Sequence, residues 1–530
     1  MEISINGIDQ FWANINSFSE LEVDDLKKYL DPKCRSSTIF PVYKKNGSTC
    51  YLSFLTYWIK KHGNRVAIIF TARDVDGDII GQEWMPIISY FAFNYDVSKF
   101  EYFALSENGF CGSIEIEVFS PTIPAFTFPA ISLFYQNKLS SSGVHSCIRS
   151  YNINEINSDY AIDFPQTGFD VVLGDGKNNY ISFMGGGKSH YNIILSLELH
   201  DKYIFKNLKI LNKRYSQFHL IMIEELFELR NQNLITRISI SHDLDVFPRF
   251  YVGTIQENKV PTLSHTFFDT SKLNILYKNN NQVNFRSINA NSSKYFDSAF
   301  FVPILSFSNF NTSLRTYGQN LEFNGEILFR VYTSDGYLVH QKILSDNESN
   351  SFNTSHYFNI SRECELINLN PELNYYIFMG FSGVEKSFPK RFKLGLNVSR
   401  RNVDLGTNIC FAPLVQVEGT LDKPVTRRWF PIGGISKIIG TIHFTDFEKN
   451  PVPRSIQISI EFIKTNGENL IREVSFLSNQ SILIDCSVDL ELELFLNGEM
   501  GWCYVTASTY CIDAYYFATV YDQIGGDHAF

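Results

Sequence analysis

Three stretches of this chain open alike, with a proline set behind apolar residues. They read STIFPVYKKNGSTCYLSF, SAFFVPILSFSNFNTSL and RRWFPIGGISKIIGTIHF, and they carry Pro41, Pro303 and Pro431 at the matching place. The interval from Pro303 to Pro431 is 128 residues, and that from Pro41 to Pro303 is 262, about twice as long. A further copy is therefore due near position 170, where TGFDVVLGDGKNNYISF keeps the pattern without the proline. Self-similarity at a fixed interval constrains the fold more than any other feature, because each copy must be a structural unit that repeats.

What repeats is strand-like. In the fourth copy Ile456, Ile458, Ile460 and Phe462 alternate with Gln457, Ser459 and Glu461. Period two means side chains on opposite faces, one apolar and one expected to be wet. Ile327, Phe329 and Val331 in the third copy, and Val66, Ile68 and Phe70 in the first, follow suit. A turn comes next: DVDGDII, TSDGYLV or KTNGENL, with Asp76-Gly77, Asp335-Gly336 or Asn466-Gly467 between apolar runs. Such pairs mark a β-hairpin, and a two-residue turn asks for positive φ at both positions. Asp74, Asp76 and Asp78 around Gly77 also have the look of a calcium loop. The equivalent turns lack the extra acids, and the glycine is misplaced for the D-x-D-x-D-G pattern, so the hairpin is expected.

These features predict an all-β chain of about four tandem antiparallel β-sandwich modules, immunoglobulin-like or jelly-roll-like, with a short N-terminal helix. The expected divisions are a helical segment at 1–36 and modules at 37–160, 161–290 (divergent), 291–425 and 426–530. The helix is read over Ser19 to Leu30, with Ser19 and Glu22 forming a capping box and Pro32 just past its end. FHLIMIEELFELRNQN (218–233) is ambiguous, and its place in the repeat argues for a strand. Each module of about 125 residues is large enough to bury a core of its own.

Composition narrows the function. Charged residues make 19% of the chain and the net charge is −10, with no concentrated basic cluster, so nucleic acid is not an expected partner. No signal peptide and no transmembrane run is legible, so membrane insertion is not expected. Nine cysteines at irregular spacing, with no C-x-x-C, read as free buried thiols, which favours the cytoplasm or a non-classical export route. The abundance of Asn, Ile, Lys, Phe and Tyr fits a low-GC genome.

Candidate sites are few, and no cofactor or metal is expected. FMGGGKSHY (184–191) has the flavour of a phosphate loop, but position 182 is serine and both flanks read as strands rather than strand and helix. SHDLDVF supplies His242, Asp243 and Asp245, which suit a ligand set or a base pair of groups, although aspartate between strands is common in turns. Three module exits carry a histidine, His145, His265 and His528. Equivalent positions of modules stacked in a row should lie a module apart, which points to a repeated structural role. No nucleophile elbow, zinc-protease or dinucleotide motif is present. The sequence thus favours a non-enzymatic β-repeat protein that binds a polysaccharide or a protein through its surface, or assembles as a homo-oligomer. The alternatives are a carbohydrate-active enzyme with accessory sandwiches, in which the divergent second module would carry the cleft, and a viral or filament structural protein.

Overall fold

A computed structural model of the chain describes residues 35–120, 129–150, 166–268, 276–278, 283–285, 294–316, 325–344, 356–383, 387–389, 394–401, 406–411, 426–444 and 455–530, with brief breaks at 46, 175, 200–201, 230–233, 247–248, 297, 478 and 508–511. The expected N-terminal helix and the module divisions near 160, 290 and 425 lie outside the described residues.

The first module comprises β1 (Arg35–Lys44), β2 (Thr49–Leu55), α1 (Tyr57–His62), β3 (Val66–Arg73), β4 (Ile79–Ile87), β5 (Ala92–Asp96), α2 (Glu101–Leu105), β6 (Gly109–Phe119), β7 (Ile131–Gln136) and β8 (Ser141–His145). The second has β9 (Gln166–Leu173), β10 (Lys177–Met184), β11 (His190–Leu199), β12 (Lys202–Leu211), β13 (Phe218–Met222), α3 (Ile223–Phe227), β14 (Leu234–His242), β15 (Tyr251–Gln256) and β16 (Ser264–His265). The third has β17 (Ser298–Ile304), β18 (Phe310–Thr316), β19 (Gly325–Thr333), β20 (Leu338–Leu344), β21 (His356–Asn359), α4 (Ile360–Leu366), β22 (Tyr375–Gly383), β23 (Leu394–Arg400) and β24 (Gly406–Phe411). The fourth has β25 (Thr426–Gly433), β26 (Ile438–Phe444), β27 (Ser455–Ile463), β28 (Asn469–Leu477), β29 (Ser481–Ile484), α5 (Leu490–Leu496), β30 (Met500–Ala507), β31 (Ile512–Ala518) and β32 (Gly526–His528).

One topology serves all four. The first sheet runs β1-β6-β3-β4, and β9-β14-β11-β12, β17-β22-β19-β20 and β25-β30-β27-β28 repeat it. The second sheet runs β5-β2-β7-β8, and its counterparts keep that order too. In the fourth module the two sheets join at the single pair Gly433 and Ile438. Core residues come from both sheets: in the second module Phe169, Ile193 and Ile238 from one meet Ile181, Phe183 and Val252 from the other. A short helix always links the fifth and sixth strands. Asn359 caps α4 by accepting from the Arg362 amide, and Asp489 caps α5 by accepting from the Leu492 amide, both at 3.1 Å. The ambiguous stretch 218–233 divides the same way. It is a strand to Met222, then α3, because Ile223 and Phe227 stand four apart with Glu224 and Glu225 in the first turn.

The chain divides into two compact units, in the main up to Phe268 and from 269 onward, with two modules in each. Within the first unit, the Tyr251 hydroxyl of β15 donates to the Ile39 carbonyl of β1 at 2.8 Å. Within the second, the Tyr515 hydroxyl of β31 donates to the Phe301 carbonyl of β17, also at 2.8 Å. Both acceptors stand two places before the repeated proline, and both tyrosines pair in the ladder with the exit histidine of their module, His265 or His528. The repeat therefore has two levels, and the longer one is a pair of locked modules.

The lock corrects one expectation. In β3 and β19 the face read as wet is also covered: Ala67 and Thr71, and Leu328, Arg330 and Tyr332, are buried as fully as the core-facing residues. The second sheet of the following module lies against this face, with Phe110 meeting Tyr180 at 5.0 Å in one unit and Tyr376 meeting His443 at 5.3 Å in the other.

Candidate functional site

The hairpin turns are one residue longer than the two-residue loop expected. Gly77 donates to the Asp74 carbonyl and the Asp74 amide to the Asp78 carbonyl, and only Gly77 of the turn has positive φ, at +88°. This is a three-residue loop closed by a glycine bulge, with a register shift after Ala72. Gly336 repeats it at +88°. Asp74 serves the turn itself, because one of its carboxylate oxygens accepts from the Asp78 amide at 2.9 Å, while Asp78 pairs with Arg214. The turn also has an outside partner. The Val75 carbonyl accepts from the Phe218 amide, the first residue of β13, at 3.0 Å, and the Ser334 carbonyl accepts from Ser481, the first residue of β29, at 2.9 Å. Each turn is thus a peg set into the next module. A Cβ on Gly77 would stand 2.8 Å from the Tyr215 carbonyl oxygen.

Folding brings the two marked motifs of the second module together. The glycine-rich loop joins strand β10 to strand β11, so it opens no helix. Asp245 reaches into it: one carboxylate oxygen accepts from the Gly187 and Lys188 amides, both at 2.9 Å, and the other from the Tyr191 hydroxyl at 2.8 Å. The same hydroxyl oxygen accepts from the Gly186 amide. Asp243 accepts from the backbone and side-chain amides of Asn192, each at 2.8 Å, while the Lys188 ammonium donates to the Asp243 carbonyl. From the other side Asn212 donates to the Gly186 and Lys188 carbonyls at 3.0 and 2.7 Å and contacts His219 at 3.1 Å.

The glycines are there for room. None of Gly185, Gly186 and Gly187 has positive φ, but a Cβ on Gly185 would meet the Asn212 oxygen at 2.1 Å and one on Gly186 the Asp245 oxygen at 2.3 Å. The loop does gather amides around an anion in the manner of a nest, and the anion is Asp245. Burial works against the Asp243 carboxylate, yet the Asn192 donors and Lys188 hold it below the usual carboxylate range. Burial and then Asp245 push the Tyr191 phenol up, and burial lowers His219 to about 4. His242 lies beside this cluster rather than in it, with its ring against Phe250 at 5.2 Å and its Nδ1 near the Leu244 amide at 3.3 Å.

A second polar cluster was not singled out by any motif. On the outer face of the first module's first sheet, Arg35 binds Glu117 at 2.8 Å, Arg73 binds Glu115 at 2.9 Å, and Arg35 approaches Glu115 at 3.6 Å. Ser150 donates to Glu115. Arg35 and Glu115 are buried. Burial opposes the charge on Glu115, but Arg73 and Arg35 overcome it and hold the group below its ordinary value; burial raises Glu117, which shares Arg35 with Glu115.

Two exit histidines belong to the first unit. The His145 and His265 rings, from the first and second modules, lie edge to face at 4.7 Å. The expectation that equivalent positions stay a module apart fails here because the paired modules are packed sheet on sheet rather than end to end. His265 and His528 share a local geometry, each with Nδ1 about one hydrogen bond from the next carbonyl, at 3.0 Å from Thr266 and 2.9 Å from Ala529. Beyond each exit histidine the chain turns back along its own first strand. Ile39 donates to Ile148, Phe267–Phe268 pairs with Gly168 and Thr167, and Phe530 donates to Trp429. The described cysteines Cys50, Cys111, Cys147, Cys364 and Cys503 are buried free thiols, and Cys486 is half-buried.

No family model matches this chain, and no curated protein matches it. Among solved structures, one titled "Biofilm associated protein - BSP domain" aligns over 93% of this chain and 95% of its own at 9% identity, with a TM-score of 0.13. A likeness that low carries no argument. The class of the protein rests on its own fold, a tandem all-β chain of antiparallel sandwiches.

Proposed function

We propose that this chain is a non-enzymatic β-sandwich scaffold that acts through its surface, by binding a glycan or a protein or by assembling with its own copies. The observation that carries the reading is the use made of the candidate acids. Asp243 and Asp245 are engaged by loop amides and by Asn192 and Tyr191, which is the work of a brace. A general base needs a lone pair directed at substrate, and these lone pairs are directed at the chain. Fold alone does not decide function, so the test is made on the purified full chain. It is screened against esters, phosphates, peptides and glycosides and on a glycan array. No turnover is expected. Hydrolysis that Asp243→Ala or Asp245→Ala abolishes, with the melting curve unchanged, would overturn the proposal in favour of a carbohydrate-active enzyme.

A further inference from the structure

Among the described residues the fourth strand of the first sheet is an edge in every module, and the four edges differ. β4 is bulged and carries Pro86 and Glu83. β20 is bulged after Val331 and is the shortest at 7 residues. β28 balances Arg472 with Glu473, and Arg472 is held by Asp489 at 2.9 Å and Glu491 at 2.6 Å. These are the usual ways of blunting an edge. β12 lacks the bulge, the proline, the short length and the paired charges. It runs 10 residues in unbroken register with β11, contains no proline and no acid, and ends the sheet.

Its composition is also distinct. Lys202, Lys206 and Lys209 put three positive charges on one strand of a chain whose net charge is −10. Between them stand large apolar side chains in the open: Phe205 is 63% exposed, Leu211 65% and Tyr203 51%, with Ile194 of β11 at 44% beside them. Lysines alone would serve to repel other strands. Lysines alternating with exposed aromatic and aliphatic residues on an unbulged edge instead present ladder groups, apolar contact and a definite charge to a partner of opposite sign.

We propose that β12 is a docking strand, and that it takes an extended acidic segment of a partner protein, which adds to the sheet as a further strand. The partner's backbone would pair with the outer edge of β12. Its carboxylates would lie toward Lys202 and Lys206 on one face of the sheet, and its apolar side chains over Phe205 and Leu211 on the other. This rests on the reading of the chain as a surface-acting scaffold and names the chemistry of one partner.

The probe is a labelled ten-residue peptide alternating glutamate and valine, titrated into the full chain and read by fluorescence anisotropy. Saturable binding is expected. The double change Lys202→Glu with Lys206→Glu should weaken it by about tenfold or more while leaving the melting temperature in place. A peptide N-methylated at alternate residues should not bind, because it lacks the donors of one edge. Equal binding of the methylated peptide would overturn strand addition. Binding of heparin or of anionic phospholipid vesicles that the double change abolishes, with no binding of the peptide, would overturn the choice of partner. So would self-association of the wild type that the double change cures, again without peptide binding. Any of these failures leaves the scaffold reading standing, whereas turnover in the substrate screen removes that reading and leaves the peptide result untouched.

Discussion

The two module junctions have the same frame and opposite contents. Both use a tyrosine hydroxyl on the carbonyl two places before a proline, and both set a glycine turn into the next module. Strand register puts Glu115, Ser113 and Arg73 of the first module where the third has Phe378, Tyr376 and Tyr332. One outer face is ionic and hydrogen-bonded, and the other is an aromatic cluster of Phe301, Leu328, Tyr332, Tyr376 and Phe378. On the opposing sheet the register puts Met184 in one junction and His443 in the other. Backbone locks therefore fix how two sandwiches dock, and the side chains between them are free to differ as long as polar groups are matched.

The largest test of this contrast is Glu115→Ala. It leaves the buried Arg35 and the half-buried Arg73 guanidinium groups short of their counter-charge, and losing one partner of a buried pair costs about 3–5 kcal/mol. Proteolysis under rising urea, with peptides identified by mass spectrometry, should show the first unit opening at lower urea and the second unchanged. Equal losses in both would mean that the junctions are not separate.

Acid should act the other way. His443 is fully buried, neither ring nitrogen has a hydrogen-bond partner among the described residues, and burial lowers it to about 3. A histidine depressed in the folded state contributes its full stability above its unfolded value, near pH 6.5, and loses it as pH falls toward the folded value. The second unit should weaken by about 1.4 kcal/mol per pH unit below roughly pH 6. His443→Met, which installs the residue of the first junction, should flatten that slope. An acid profile that His443→Met leaves unaltered would locate the sensitivity elsewhere.

Gly77→Ala is expected to cost about 2 kcal/mol, since it joins a positive φ to a close approach to the Tyr215 carbonyl. The effect should fall on the second module's β13 as much as on the first module's own turn, because the peg is shared. Protection confined to β3 and β4 would argue that the turn is an ordinary hairpin. The smallest effect sharpens the comparison most. Tyr251→Phe and Tyr515→Phe each remove one hydroxyl from a buried carbonyl, worth about 1 kcal/mol, and the two losses should agree. A clear inequality would show that the surroundings, ionic or aromatic, set the strength of the lock.

The repeat, the strands and the turns were legible because proline, period two and Asp-Gly report local backbone needs. What covers a strand's second face is a tertiary fact, and the two junctions show when it leaves a trace. ILFRVY in β19 is apolar on both sides of the pleat apart from Arg330, the signature of a strand buried on both faces. In the first module the second face includes Arg35, Thr71, Ser113, Glu115 and Glu117, which read as wet; Arg35 pairs with both glutamates there, and Gln82 donates to Thr71. The candidate site followed the same rule. The GGGK loop and the HDLD segment were each conspicuous, but Asp245 stands 58 residues from Gly187, and only the pairing of β11 with β14 joins them. The three glycines gave the one usable hint, in that they ask for close approach by something bulky.

The return of the first, second and fourth exits along their own first strands has a consequence for how such a chain is made. Four look-alike sandwiches emerging in sequence from the ribosome are prone to exchange strands, since any first strand could complete a neighbour's sheet. β1 and β17 carry a proline where an intruding strand would look for a donor, and the carbonyl two places earlier is already taken by a tyrosine. In the second module, which has no such proline, Phe267–Phe268 occupies the side of β9 that an intruder would use. The returning exit is made before the sibling module and the tyrosine comes with that sibling, so the border closes in two stages, and correct partnering in a crowded nascent chain is favoured by occupation of the edges rather than by differences in sequence.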